Sequence, residues 1–180
     1  MSPIEPSEIK IKELISLFDK KKYDELLKLS NVLLDEFPKS ILIQNIQGVV
    51  HTELKNYKLA KNLFTKVVNL NPNYTDGYYN LANIFVKLDE KEKAIENYNK
   101  VIELDNNYFK AHNNLGNIYR RQGLNKRAIE YYLLTLEINS NYKVAYYNLA
   151  GVLQFYIFDA EYKNINKYLL HLLKEKIIVR

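Results

Sequence analysis

The chain has 180 residues, 47% of them hydrophobic and 26% charged, with a formal net charge of +5. That is long enough for one domain with a sizeable core, and the balance of apolar and charged residues excludes disorder as the main state. Cysteine is absent, which excludes a disulfide framework, a thiolate metal site and a thiol nucleophile, and fits a reducing compartment.

The N-terminus, MSPIEPSEIKIKELI, has no basic start followed by an apolar run, so it does not read as a secretory signal. No stretch approaches the ~18 consecutive apolar residues of a membrane span. The cytosol is the expected location, and no membrane partner is expected. Ser7 is the expected N-cap of a helix over EIKIKELISLF. KKKYDELLKLSNVLLDEFP then gives a second helix that closes at Pro38.

From Ile41 onward the sequence copies itself every 34 residues. Gly48 is followed at that interval by Ala82, Gly116 and Ala150, and Ala60 by Ala94 and Ala128. Leu81, Leu115 and Leu149 share one register, as do Phe64, Tyr98 and Tyr132. The connecting segment recurs as NLNPNY, ELDNNY and EINSNY, and Pro38 and Pro72 keep the same interval.

A 34-residue period with two helical halves is the signature of the tetratricopeptide repeat. The chain resembles that family over nearly its whole length. The resemblance implies an all-α fold: a right-handed superhelical solenoid of antiparallel helix pairs, A then B. It implies one domain over 1–180, with a divergent repeat at 7–40, repeats at 41–74, 75–108 and 109–142, and a degenerate, capping repeat at 143–176. Counting positions from Ile41, Thr75, Phe109 and Lys143, positions 8 and 20 mark the helix crossing, where small residues admit close approach. Glycine inside a helix costs about 1 kcal/mol against alanine, so packing must offset it at Gly48 and Gly116. The family's tryptophan position holds Gln44, Tyr78, His112 and Tyr146.

The ends depart from the pattern. The first repeat has Leu14 and Leu26 at the crossing positions, as expected of a terminal repeat. After VAYYNLAGVLQFY the alanine of position 20 is replaced by Tyr162, or met early at Ala160. KNINKYLLHLLKEKIIV has amphipathic helical spacing at Ile165, Tyr168, Leu169, Leu172 and Leu173. The apolar ending IIVR leads us to expect either docking of this tail onto the last groove or a longer parent protein. The opening repeat is reminiscent of bacterial arrays that precede sulfotransferase, glycosyltransferase or methyltransferase domains. A substrate-recognition segment of such a transferase is therefore the alternative reading.

Chemistry of other kinds is not indicated. His51, His112 and His171 are scattered without metal-ligand spacing, and RRQGLNKR places its one glycine at a helix turn and not in a phosphate loop. Asp89, Glu90, Glu92 and Glu96 fall on turns and outer helix faces. An enzyme is not expected, nor is any cofactor or metal. Residues 75–108 carry seven carboxylates against four lysines, and residues 109–142 five cations against two carboxylates. This is not the even basic stripe of a nucleic-acid binder.

The recognition chemistry lies on helix A. Positions 2, 5, 6, 9, 12 and 13 share one side of a 3.6-residue helix. Asn80, Asn114 and Asn148 form one row there, and Asn83 and Asn117 a second. An amide both donates and accepts, so a row of amides can grip the main chain of an extended peptide. The first row resembles the asparagine ladder of O-linked N-acetylglucosamine transferase repeats, which implies peptide contact for Asn80, Asn114 and Asn148; Ile46 breaks it one repeat earlier. Asn113 joins this expected groove, with Tyr79 and Tyr147 as flanking walls. Lys87, Lys110, Arg120 and Arg121 favour an acidic segment. The chaperone-binding carboxylate clamp of the family is matched only at Asn80 and Lys110, and is not expected. The expected partner is a protein or peptide, an acidic one included, with self-association through the terminal repeats as a further option.

Overall fold

The computed structural model of the chain describes residues 5–153. Among these residues the regular structure is helical throughout: α1 (Glu8–Asp19), α2 (Tyr23–Glu36), α3 (Ile41–Glu53), α4 (Tyr57–Leu70), α5 (Thr75–Lys87), α6 (Lys91–Leu104), α7 (Phe109–Arg121), α8 (Asn125–Ile138) and α9 (Lys143–Leu153). The fold is all-α, an array of helix pairs in which odd-numbered helices take the A place and even-numbered helices the B place. Helices α3, α5, α7 and α9 begin at residues 41, 75, 109 and 143, the register of the sequence repeat. The second half of the last repeat, with Ala160, Tyr162 and His171, lies outside the described residues.

The chain falls into two compact units, 1–100 and 101–180. The boundary runs within α6. In the first unit Leu14, Leu26, Leu33, Ile43 and Val50 form a buried cluster joined by Phe18, Tyr23 and Phe37. In the second, Ile129, Tyr132, Leu136, Tyr146, Leu149 and Val152 form another between α8 and α9. Each fully buried side chain of this size contributes roughly 1.5–3 kcal/mol. Burial of these stripes, more than helix propensity, therefore holds the short helices.

The helix crossing explains the small residues. A Cβ added to Gly48 would stand 2.6 Å from the Phe64 ring, and one added to Gly116 2.6 Å from the Tyr132 ring. Each glycine thus seats the face of an aromatic ring from its own B helix. In the middle repeat Ala82 and Tyr98 share the place, both buried. Gly77 has a different reason: a Cβ there would meet Val67 and Val68 at 2.9 and 3.1 Å, so it lets α5 approach α4.

The turns repeat as faithfully as the core. Position 15 is left-handed each time: Lys21, Lys55 and Asp89 at φ 56°, 60° and 59°, and Gly123 at 75°. Such a residue ends a helix by letting the next N–H reach back five residues, as Lys22, Asn56, Glu90 and Leu124 do to Leu17, His51, Phe85 and Tyr119 at 2.8–2.9 Å. At the B-to-A turns, the side chains of Asn71, Asp105 and Asn139 accept from the N–H two residues on, at 3.0, 3.0 and 3.1 Å. That Asx turn is the physical content of the recurring NPNY, DNNY and NSNY.

Ser7 stands at the N-cap position of α1, but its side chain makes no capping bond. Ser40 does cap α3, accepting from the Ile43 N–H at 3.1 Å. Its hydroxyl in turn donates to Glu5, whose carboxylate also accepts from the Ile41 N–H at 2.8 Å. A carboxylate at a helix N-terminus meets unpaired N–H groups and the positive end of the dipole.

Candidate functional site: the asparagines of the A helices

In the first unit Asn80 of α5 is half-buried, and its Nδ2 donates to Asn45 Oδ1 on α3 at 3.0 Å. In the second unit Asn148 of α9 donates in the same way to Asn113 Oδ1 on α7 at 2.9 Å. The two bonds are the same bond 68 residues apart. Position 6 of one helix A reaches position 5 of the helix A before it. In each pair the nitrogen of one amide faces the carbonyl oxygen of the other. Among the described residues, Asn80 and Asn148 use one N–H each in this way. Their carbonyl oxygens and second N–H groups make no further hydrogen bond there.

The second row is engaged differently. Tyr98 Oη donates to Asn83 Oδ1 at 2.5 Å, and Tyr132 Oη to Asn117 Oδ1 at 2.9 Å. Each bond ties a B helix to its A helix from the same aromatic that packs on the small residue of position 8. One repeat earlier the aromatic is Phe64 and the facing residue Val49, so hydroxyl and amide are absent together. Burial pushes the Tyr132 phenol up to about 12, against a smaller opposing pull from Arg120 and Arg121. The phenol therefore stays a donor through the neutral and mildly alkaline range.

The other residues expected at the site divide by exposure. Asn113 is 2% exposed and lies between Asn148 and Asn114, to whose Oδ1 it donates at 3.4 Å. Within the expected groove it is thus the buried member, bonded to both neighbours. Asn114 is half-buried. Tyr79 is half-buried, its ring 5.9 Å from that of Tyr98. Tyr147 is 56% exposed, and Lys87, Lys110, Arg120 and Arg121 are exposed. Gly151 opens space on α9 beside Arg120: an added Cβ would stand 3.4 Å from the guanidinium.

Sequence reasoning passed over Asn45 as a partner. The signal was present, since a bond between position 5 and the next position 6 needs asparagines 35 residues apart. It also passed over the common task of the tryptophan position. Gln44 Nε2 donates to the Pro38 carbonyl at 3.3 Å and Tyr146 Oη to the Ser140 carbonyl at 3.1 Å, and His112 Nε2 meets the Asn106 carbonyl at 3.1 Å. All three bonds reach the same place in the preceding turn. His112 is thereby a packed, hydrogen-bonded residue. Burial lowers the His51 imidazole below its ordinary range.

Family models described as TPR or tetratricopeptide repeat match residues 43–74, 63–96, 82–123 and 109–142. Together they run without a gap over more than half of the chain. Curated proteins gave no match. Among solved structures, the crystal structure of MamA is 23% identical with a TM-score of 0.76, over 90% of this chain and 95% of that one. PilF of Pseudomonas aeruginosa is 18% identical with a TM-score of 0.77, over 89% and 72%. YrrB, described as a TPR protein with an unusual peptide-binding site, is 20% identical with a TM-score of 0.67, over 83% and 77%. At these identities the likeness is one of fold.

Proposed function

The chain belongs to the tetratricopeptide-repeat family, and on that premise we propose that it is a non-catalytic protein-interaction module whose A helices hold an extended peptide by its main chain. The observation that carries this reading is the state of Asn80 and Asn148. Each is fixed by one amide bond and keeps an acceptor and a donor uncommitted among the described residues. An extended peptide offers one C=O and one N–H per residue, and an oriented amide answers both. Asn114 stands in the same sequence register, 34 residues from Asn80 and from Asn148. Asn83 and Asn117 differ from these, because their carbonyl oxygens already accept from tyrosines. Tyr79 and Tyr147 flank the peptide, and Lys87, Lys110, Arg120 and Arg121 favour carboxylates along it. The peptide-binding description of YrrB supports the ligand class.

The test begins with a peptide selected on the purified chain from a displayed library, its affinity then measured by calorimetry. A net amide hydrogen bond contributes about 1 kcal/mol. Changing Asn80, Asn114 and Asn148 together to Ala should therefore weaken binding about a hundredfold, with the helical circular dichroism retained. Unchanged affinity in a folded triple variant would overturn the reading.

A further inference from the structure

A concave feature lies in the first unit between α2 and α4. It is a cleft of about 550 Å³, lined by Leu34 and Pro38, by Gln44, and by Leu63, Lys66 and Leu70 of α4, with no acidic residue in its lining. Gln44 is 5% exposed, and its Nε2 faces the Pro38 carbonyl. That bond fixes the amide orientation and leaves Oε1 buried without a partner. A buried carbonyl oxygen is destabilising until a donor reaches it. The neighbouring Gln47, by contrast, is satisfied, its Nε2 donating at 2.8 Å to both Ser30 Oγ and Asn31 Oδ1.

The second unit indicates what fits such a place. Sixty-eight residues on, Gln44 becomes His112, Leu63 becomes Tyr131 and His51 becomes Tyr119. There the Tyr131 ring lies 6.1 Å from His112 and stacks on Tyr119 at 5.3 Å. The first unit has the same register, but Leu63 leaves the ring's place open. Charge narrows the choice further. Helix α4 carries Lys58, Lys61 and Lys66 and no carboxylate. Lys61 faces Glu90 at 3.5 Å, whereas Lys58 and Lys66 make no ion pair among the described residues.

We propose that this cleft is a second binding site, which takes a tryptophan or tyrosine side chain from an acidic segment of a partner protein. The ring lies against Leu34, Leu63 and Leu70. Its N–H or O–H donates to Gln44 Oε1, and flanking carboxylates meet Lys66 and Lys58. The site stands independently of the asparagine rows.

The probe is a capped peptide in which one tryptophan is flanked on both sides by glutamates, titrated into the full ¹⁵N- and methyl-labelled chain and followed by NMR. The expected result is a shift of the Gln44 side-chain amide and the Leu63 methyls, with affinity about tenfold weaker for the phenylalanine counterpart, which has no donor. Leu63→Tyr places in the cleft the ring that the second unit already accommodates, and should abolish binding. If that variant does not fold, the exposed Lys66→Glu carries the test and should weaken binding several-fold. Asn80→Ala and Asn148→Ala should leave this peptide's affinity unchanged, which separates the cleft from the asparagine rows. Shifts confined to the asparagine amides, equal affinity for tryptophan and phenylalanine, undiminished binding to folded Leu63→Tyr or Lys66→Glu, or no binding at millimolar peptide would each overturn the inference.

Discussion

Residues 41–74 and residues 109–142 are the same repeat filled with different chemistry. In both, a glycine of helix A seats an aromatic ring of helix B, at an identical 2.6 Å from the missing Cβ. The later repeat adds a hydroxyl on Tyr132 and an amide on Asn117, whereas the earlier one answers Phe64 with Val49. The later repeat also sets the Tyr131 ring 6.1 Å from His112, tilted to it, and the earlier leaves a cleft beside Gln44. The shape of the crossing is thus held constant, while the hydroxyl and the amide that meet there arrive together or not at all. Close packing tolerates little variation in volume, and a buried polar group without a partner is destabilising.

The largest effect should come from filling the seat of the ring. Gly48→Val and Gly116→Val should each destabilise by about 2–3 kcal/mol through overpacking, read from urea midpoints. Near-equal losses would bear out the shared geometry, and a neutral substitution in either repeat would break it.

A smaller effect should follow from exchanging the polar pair. Phe64→Tyr alone buries a hydroxyl opposite Val49 and should destabilise by about 1–2 kcal/mol. Adding Val49→Asn should recover most of that loss in a double-mutant cycle. Tyr132→Phe should cost about 1 kcal/mol and alter the alkaline limb of stability. Because burial raises the Tyr132 phenol to about 12, its contribution is complete below the ordinary tyrosine value near 10 and is lost as pH rises toward about 12. Wild type should therefore lose stability more steeply than Tyr132→Phe across that window, by denaturant titration at each pH. Parallel curves would remove Tyr132 as the cause.

The smallest effect should lie in the turns. Gly123→Ala should destabilise by about 1 kcal/mol, because the backbone there is left-handed at φ 75° with open space around it. Lys55→Gly, at φ 60°, should stabilise by a few tenths of a kcal/mol, the relief of strain being partly offset by unfolded-state entropy. Paired thermal melts decide both signs.

The legible parts of this protein were those that repeat. Gly48, Ala82 and Gly116 could be read as one crossing because each copy must meet the same packing problem. Asn80 and Asn148 could be read as one row for the same reason. Asn45 was harder, because its role depends on a residue one helix pair away and offset by one position. Asn113 was placed in the expected groove, and helical periodicity assigns a side but not a depth. The actual depth depends on how α9 lies against α7.

By itself, then, the sequence determined the all-α class, the register of the helix pairs and the places where small residues and aromatics must meet. All three follow from periodicity and steric volume, which are properties of the chain read along its length. Only the tertiary structure decided which amides are engaged: Asn83 and Asn117 by tyrosine hydroxyls, Asn80 and Asn148 by one N–H each, Gln44 by one end and not the other. A hydrogen bond depends on a few tenths of an ångström and on direction, and those are set by packing between helices that the linear pattern does not encode.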